Sequence, residues 1–234
     1  MTCLTLIQSV CLRVGLDSPN SAIGNTDRQI KQVVELANEA GQECARRYPW
    51  QGVLAVGNFT TLAAESQGTV ESIAPGLDYI INDTIWNRTL RRPVFGPQTP
   101  QAREQQKAFA INGPWSSYRL IGGLLSMYPT PTAGQDCYFE YISKNWVTKS
   151  TSGTSATWTN DADTPLLDNN LLVLDTIWRF KQAKGLDYAE DFSKAERALL
   201  DLAARDGGKD TISMVGTKYD IWPGVIVPAG SWSL

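Results

Sequence analysis

Residues 164–208 read TPLLDNNLLVLDTIWRFKQAKGLDYAEDFSKAERALLDLAARDGG, and this stretch decides the fold. Apolar side chains recur in it at steps of three and four residues, which places each set on one face of a helix. The first set is Leu167, Leu171, Leu174 and Trp178, and the second is Tyr188, Phe192, Ala195, Leu199 and Leu202. The spacing therefore predicts two amphipathic helices that form a hairpin.

Capping residues mark the ends of this hairpin. Asp168 precedes the first helix, where its carboxylate can accept hydrogen bonds from free N–H groups. Gly185 suits the left-handed residue that ends this helix, and Gly207 and Gly208 end the second. Two amphipathic helices on a tight turn cannot bury both apolar faces alone, so they need partner helices.

The N-terminal residues offer these partners. Residues 2–14 have the apolar spacing of a short helix that Gly15 ends. Residues 27–48 have the spacing of a long helix that Pro49 ends. With the late hairpin they make four helices, and we expect a small bundle.

The segment between the two helix pairs is rich in β-branched and aromatic residues. Gly122-Gly123 predicts a tight β-hairpin, because glycine tolerates the positive φ that such turns need. Strands are predicted at 53–62, 69–73, 79–94 and 137–147, a hairpin at 117–128, and a short polar helix at 101–110.

These patterns predict an α+β fold. A discontinuous α-helical bundle joins residues 1–49 to 165–208, and a β-rich domain of residues 50–164 is inserted into it. Residues 209–234 show no helical spacing and read as an extended C-terminal arm.

The composition excludes several classes of functional site. The 234 residues include no histidine and four cysteines, none in a C-x-x-C pair, so we expect buried free thiols, no zinc site and no cofactor. The net charge of −3 gives no basic field to hold DNA tightly. No apolar run is long enough to span a membrane.

Few residues suggest catalysis or metal binding. Asp161, Asp163 and Asp168 could hold a hard cation, but helix capping and turn formation explain them better. Glu140 with a second carboxylate could serve a glycosidase, although nothing in the sequence selects the second group. We predict that the protein is not an enzyme.

Two groups of residues are candidates for partner binding. Arg88, Arg91 and Arg92 form the one basic run, which suits either phosphates or the acids of a neighbouring subunit, or else a solvated strand face. The arm carries Tyr219, Trp222 and Trp232, which suggest a segment that becomes ordered on a partner. The alternative is that the arm folds back on its own β domain.

For tryptophans outside the arm, we predict burial rather than partner binding. The four that lie in predicted elements are expected in the core: Trp50, Trp86, Trp146 and Trp178.

Several motifs together resemble the head-to-tail connector proteins, or adaptors, of tailed bacteriophages. They are Tyr48-Pro49-Trp50, Thr84-Ile85-Trp86-Asn87-Arg88-Thr89, Arg91-Arg92-Pro93-Val94-Phe95-Gly96-Pro97, Tyr141-Ile142-Ser143-Lys144-Asn145-Trp146, Ile177-Trp178-Arg179-Phe180-Lys181 and Lys184-Gly185-Leu186-Asp187-Tyr188-Ala189. The resemblance covers about residues 1–208.

The resemblance implies a structural protein of the virion that is made in the host cytoplasm. It implies a homo-oligomeric ring, usually a dodecamer, between the portal protein and a tail or nozzle protein, with DNA passing non-specifically through the channel during genome ejection. Two alternatives stay open: a carbohydrate-binding or hydrolytic module that uses the β domain, and a tail-tube or baseplate subunit.

Overall fold

In a computed structural model, the chain is described at residues 1–109, 113 and 115–207. These residues form both helices and antiparallel sheets, which confirms the α+β class. The helices are α1 (Cys3–Val14), α2 (Arg28–Arg47), α3 (Val70–Ile73), α4 (Pro100–Ala108), α5 (Asn169–Ala183) and α6 (Ala189–Arg205).

The helix ends follow the capping residues of the sequence. The Asp27 carboxylate accepts a hydrogen bond from Gln29 N at 2.7 Å, and Asp168 accepts one from Leu171 N at 2.9 Å. Gly185, with φ 70°, follows the end of α5 in the left-handed conformation. The predicted capping of α5 and the turn after it are therefore confirmed.

Helix α5 lies at the centre of the helical layer, where it contacts α1, α2 and α6. Leu171 is buried as predicted, but Leu174 and Trp178 are only partly buried, so the predicted core face of α5 is wrong in part. Because three helices surround α5, most of its circumference is covered, including polar positions. Its buried residues are Leu171, Leu172, Val173, Asp175, Thr176, Ile177, Arg179 and Phe180.

The strands lie between the two helix pairs in sequence. They are β1 (Leu54–Thr60), β2 (Ser66–Thr69), β3 (Leu77–Ile80), β4 (Trp86–Asn87), β5 (Arg92–Pro93), β6 (Ser117–Ile121), β7 (Leu124–Tyr128), β8 (Asp136–Ser143), β9 (Val147–Thr148), β10 (Thr154–Ser155) and β11 (Thr164–Pro165).

Strand β8 is central to the largest sheet. It pairs along its length with β1 and, on its other side, with β3 and β4, and β4 pairs in turn with β5. Strands β6 and β7 form the predicted hairpin, with φ 57° at Gly122 and 77° at Gly123, and β2 joins β7. A small third sheet contains β10, β9 and β11.

Three strand predictions need correction. The strand predicted at 69–73 ends at Thr69, and Val70–Ile73 is the short helix α3. Residues 79–94 contribute to three short strands rather than one or two, because turns interrupt the β-prone run. The strand predicted at 137–147 ends at Ser143, which allows Trp146 to pack among the helices.

Among the residues that the structure describes, buried side chains form two clusters. The larger one contains residues of α1, α2, α5 and α6 together with Trp50, Trp146 and Trp158, and the smaller one lies within the strand region. Gly41 of α2 allows this arrangement, since a Cβ there would lie 2.2 Å from the Trp146 ring. The division into domains, with a helical bundle of residues 1–49 and 165–208 and an inserted domain of residues 50–164, remains a prediction.

Candidate partner-binding surfaces

The basic run lies in and beside the tight turn between β4 and β5. We call residues 88–92 the basic turn. Asn87 holds it by accepting a hydrogen bond from Leu90 N at 2.9 Å and by donating one to Gln135 Oε1 at 2.7 Å. Thr89 Oγ1 accepts a further bond from Asp136 N at 3.0 Å. The turn is therefore a fixed projection, and the Leu90 side chain at its tip is 47% exposed.

The three arginines of the run are all exposed but differ in their surroundings. The Arg88 guanidinium lies 3.5 Å from the centroid of the Tyr138 ring, and that of Arg92 lies 5.9 Å from the Trp115 ring. Arg91 has a positive φ of 53°, and its side chain forms no ion pair among the described residues. A residue with a Cβ costs about 1–2 kcal/mol in this conformation.

An open depression of about 390 Å³ lies beside the turn, on the largest sheet. Glu140 lines it together with a second carboxylate, that of Asp83, and with the aromatic residues Trp86 and Tyr138. These are the groups that a sugar-binding or glycosidase site would use. However, Arg88 covers one face of the Tyr138 ring, so that face cannot stack on a sugar.

A second surface lies where α2, α5 and α6 meet. Arg179 of α5 is 5% exposed at its side chain and pairs with Glu39 Oε1 at 2.8 Å, with Asp175 Oδ2 at 3.1 Å, and with Glu43. Three carboxylates thus share one guanidinium. Burial raises the pKa of Asp175, although hydrogen bonds from Trp178 and Arg179 oppose this rise.

Aromatic side chains continue this surface. The Arg179 guanidinium lies 4.6 Å from the Trp178 ring, and Trp178 meets Phe192 edge-on at 5.2 Å and Tyr188 at 6.3 Å between ring centroids. Tyr188 is 37% exposed and Phe192 40%. We call the surface of Glu39, Glu43, Trp178, Tyr188 and Phe192 the acidic-aromatic face.

The four tryptophans that were predicted to lie in the core differ in burial. Trp50 and Trp146 are buried, as predicted, whereas Trp86 and Trp178 are only partly buried. The acidic-aromatic face was missed from sequence, because the helical spacing assigned Trp178, Tyr188 and Phe192 to the core. Two features of the sequence could have indicated this face: the large size of these side chains and their position near the turn at Gly185.

The aspartates considered for a cation bind protein groups instead. Asp163 accepts hydrogen bonds from Ser150 N, Thr159 N and Asn160 N, each at 2.8 Å, and from Thr159 Oγ1 at 2.7 Å. Burial raises its pKa, but these bonds outweigh it and bring the pKa to about 2. Asp161 accepts from Ser21 Oγ, Ala22 N and Ile23 N. Within the described residues no group of three metal-ligating side chains is placed to hold an ion.

The four cysteines are free and buried, as predicted. Burial, aided by Asp161 and Asp163, raises the pKa of the Cys3 thiol to about 12, and burial raises that of Cys137 to about 11. Burial also raises the pKa of Cys11 and of Cys44. Because the thiolate is the reactive form, none of these thiols is poised as a nucleophile.

The sequence matches the SU10 adaptor protein family over residues 1–218. The chain belongs to this family. Membership confirms the resemblance to phage head-to-tail adaptors that the motifs indicated, and it assigns the chain to the phage adaptors, which are structural proteins. A comparison of this SU10 adaptor family member with curated proteins found no match.

Two further observations concern partners of this family member. Across the described part of the chain, none of the helices has the length and apolar character needed to cross a membrane. Tyr219, Trp222 and Trp232, the predicted binding residues of the arm, lie outside the described residues.

Proposed function

We propose that this protein is a virion adaptor that forms a homo-oligomeric ring beneath the portal and joins the capsid to a tail or nozzle protein. The family match over residues 1–218 carries the proposal. In this role the protein is made in the host cytoplasm and is incorporated into the phage neck. The ring lines the channel through which the genome is ejected.

The charge of the chain suits a channel. With a net charge of −3, the protein provides no general attraction for the phosphate backbone. DNA therefore passes without sequence-specific contacts and without being held. The protein acts by binding partners rather than by turnover, in keeping with buried thiols and with aspartates that bind protein groups.

We further propose that free subunits are monomeric or weakly associated and that the ring assembles on the portal. The arm of residues 209–234 contributes to this step, with Trp222 as its anchor and Tyr219 and Trp232 as further binding residues. The segment is too apolar for a typical disordered tail and too short for a core of its own. Tryptophan is a residue that commonly dominates binding energy at interfaces.

Electron microscopy of the purified protein mixed with the portal of its phage tests the function. We expect a second ring stacked beneath each portal ring. Portal rings that stay bare at saturating adaptor concentration contradict the proposal. Deletion of residues 209–234 and the Trp222→Ala variant test the arm, because both should stay folded by circular dichroism yet lose portal binding in sedimentation.

A second candidate is a carbohydrate-binding or hydrolytic module. The observation that favours it is the depression that Asp83, Glu140, Trp86 and Tyr138 line. Arg88 on the Tyr138 ring argues against it. A glycan array combined with a hydrolase screen decides the matter, since an adaptor shows neither binding nor turnover.

A further inference from the structure

We propose that the basic turn of one subunit docks on the acidic-aromatic face of the next copy of this chain. The inference rests on the proposed ring and names the residues that join its neighbouring subunits. Each surface has features that the fold of a single subunit does not use, and the two are opposite in charge.

The contact depends on two adjacent side chains of the basic turn, those of Leu90 and Arg91, because Arg88 and Arg92 already lie near the rings of Tyr138 and Trp115. Arg91 occupies a left-handed backbone conformation that glycine adopts at lower energy, and its side chain is exposed. Leu90 projects beside it, 47% exposed. A strained arginine and an exposed leucine on a fixed turn gain nothing from the subunit's own core, so a surface outside the subunit is the natural partner.

The acidic-aromatic face carries an excess of negative charge. Glu39 and Glu43 are four residues apart on α2, where like charges repel each other. They share Arg179 with the buried Asp175, and the other cation near Glu43, Arg47, is paired with Glu196 of α6, so carboxylates outnumber cations here. A second cation supplied by a partner relieves this excess.

The aromatic part of the face fits the rest of the turn. Arginine stacks on aromatic rings and pairs with carboxylates through the same planar guanidinium. Tyr188 and Phe192 are partly exposed next to Trp178 and offer an apolar surface on which Leu90 can pack. The face thus offers carboxylates for the arginine of the turn and aromatic rings for its leucine.

The symmetry of such a contact agrees with a ring. The turn and the face share no residue, so their contact is heterologous, and repetition of a heterologous contact closes a ring when the rotation permits. DNA is the competing partner for the basic turn. It would leave the acidic-aromatic face uncovered, and that face would repel it, so the charges favour a second copy.

Disulfide cross-linking of full-length protein on portal rings tests the contact. One variant carries Leu90→Cys and a second carries Tyr188→Cys, and the two are mixed before oxidation. Because the four native cysteines are buried, the introduced thiols are the ones that react. We expect a 90–188 dimer. The control replaces Leu90→Cys with Leu12→Cys on α1, a site that is 70% exposed and belongs to neither surface. A 90–188 yield no higher than the 12–188 yield overturns the inference.

Charge-reversing substitutions in the two cross-linking variants make the test more specific. Arg91→Glu or Glu39→Lys alone should slow dimer formation about tenfold, and the two together in each chain should restore it. Arg91→Gly should slow it as well while melting no lower than the parent protein, because glycine relieves the left-handed strain. Unchanged cross-linking in Arg91→Gly, or no recovery in the double variant, contradicts the proposed contact.

Two outcomes separate this inference from the function on which it rests. Rings that form on the portal without a 90–188 cross-link overturn the contact and leave the adaptor function intact, whereas bare portals overturn the function. If Arg91→Glu lowers the affinity of the protein for DNA but leaves cross-linking unchanged, the basic turn binds DNA and the inference is wrong.

Discussion

Helices α5 and α6 belong to one hairpin and have similar apolar spacing, yet their burial differs greatly. Helix α5 buries eight residues, three of them polar, whereas α6 buries only Ala195 and Leu199. Phe192 and Leu200 of α6 are 40% and 64% exposed. The difference teaches that spacing predicts which residues share a helix face, while the number of neighbouring helices determines how many faces are covered.

The comparison also separates stability from recognition. Helix α5, which contacts three helices, supports the fold, and its buried Arg179 and Asp175 pair with each other beneath the exposed Glu39 and Glu43 of α2. Helix α6 lies against α5 and leaves much of its own surface to solvent. We expect changes in α5 to unfold the protein and changes in the exposed part of α6 to act on partner binding.

The largest effect is expected for Leu172→Ala in α5. Leu172 is 1% exposed, so its loss leaves a cavity and should lower the free energy of unfolding by about 3–5 kcal/mol. The matched change Leu200→Ala in α6 should stay within about 0.5 kcal/mol, since that side chain is largely exposed. Leu174→Ala should fall between them. Chemical denaturation measures all three, and equal losses for Leu172 and Leu200 would contradict the comparison.

A smaller effect is expected for Arg179→Ala. The change leaves the buried Asp175 carboxylate without its cation and should cost about 3 kcal/mol. Its counterpart on α6 is Glu196→Gln, which removes a partly solvated pair with Arg47 and should cost no more than about 1 kcal/mol. Thermal unfolding at low ionic strength compares the two. A larger loss for Glu196→Gln would mean that the buried pair of Arg179 and Asp175 contributes less to stability than the partly solvated pair.

The smallest of the three effects is expected for Asp163→Asn, which loosens the loop that precedes α5. It weakens bonds from four donors to a charged acceptor and should cost about 2 kcal/mol at neutral pH. The pKa of Asp163, about 2, lies below the value of about 3.9 in an unfolded chain. Its contribution is therefore complete above about pH 5 and is lost as the pH falls through about 4 toward 2.

Unfolding measured between pH 6 and pH 2 checks this dependence. The stability difference between parent and Asp163→Asn should shrink as the pH falls. Asp168→Asn serves as the control, because asparagine also caps helices well and should change stability little at either pH. A difference that is constant with pH would mean that Asp163 does not titrate below its ordinary value.

Much of this protein is local enough to be determined by sequence alone. Asp168, Gly185 and the Gly122-Gly123 pair specify a helix start, a helix end and a hairpin through the backbone geometry of a few neighbouring residues. The α+β class and the family follow from such local patterns extended along the chain. The basic run could also be recognised, because arginines in sequence need no tertiary contact to be counted.

Only the tertiary structure decided which of these residues are covered. Trp178 and Leu174 have the spacing of core residues, but α1, α2 and α6 cover other parts of α5 more fully. Arg179 reaches Glu39 and Glu43 across 136 to 140 residues of chain, a pairing that no local pattern contains. Burial depends on neighbours that the fold brings from distant parts of the sequence. The acidic-aromatic face therefore became visible only once α2, α5 and α6 were packed together.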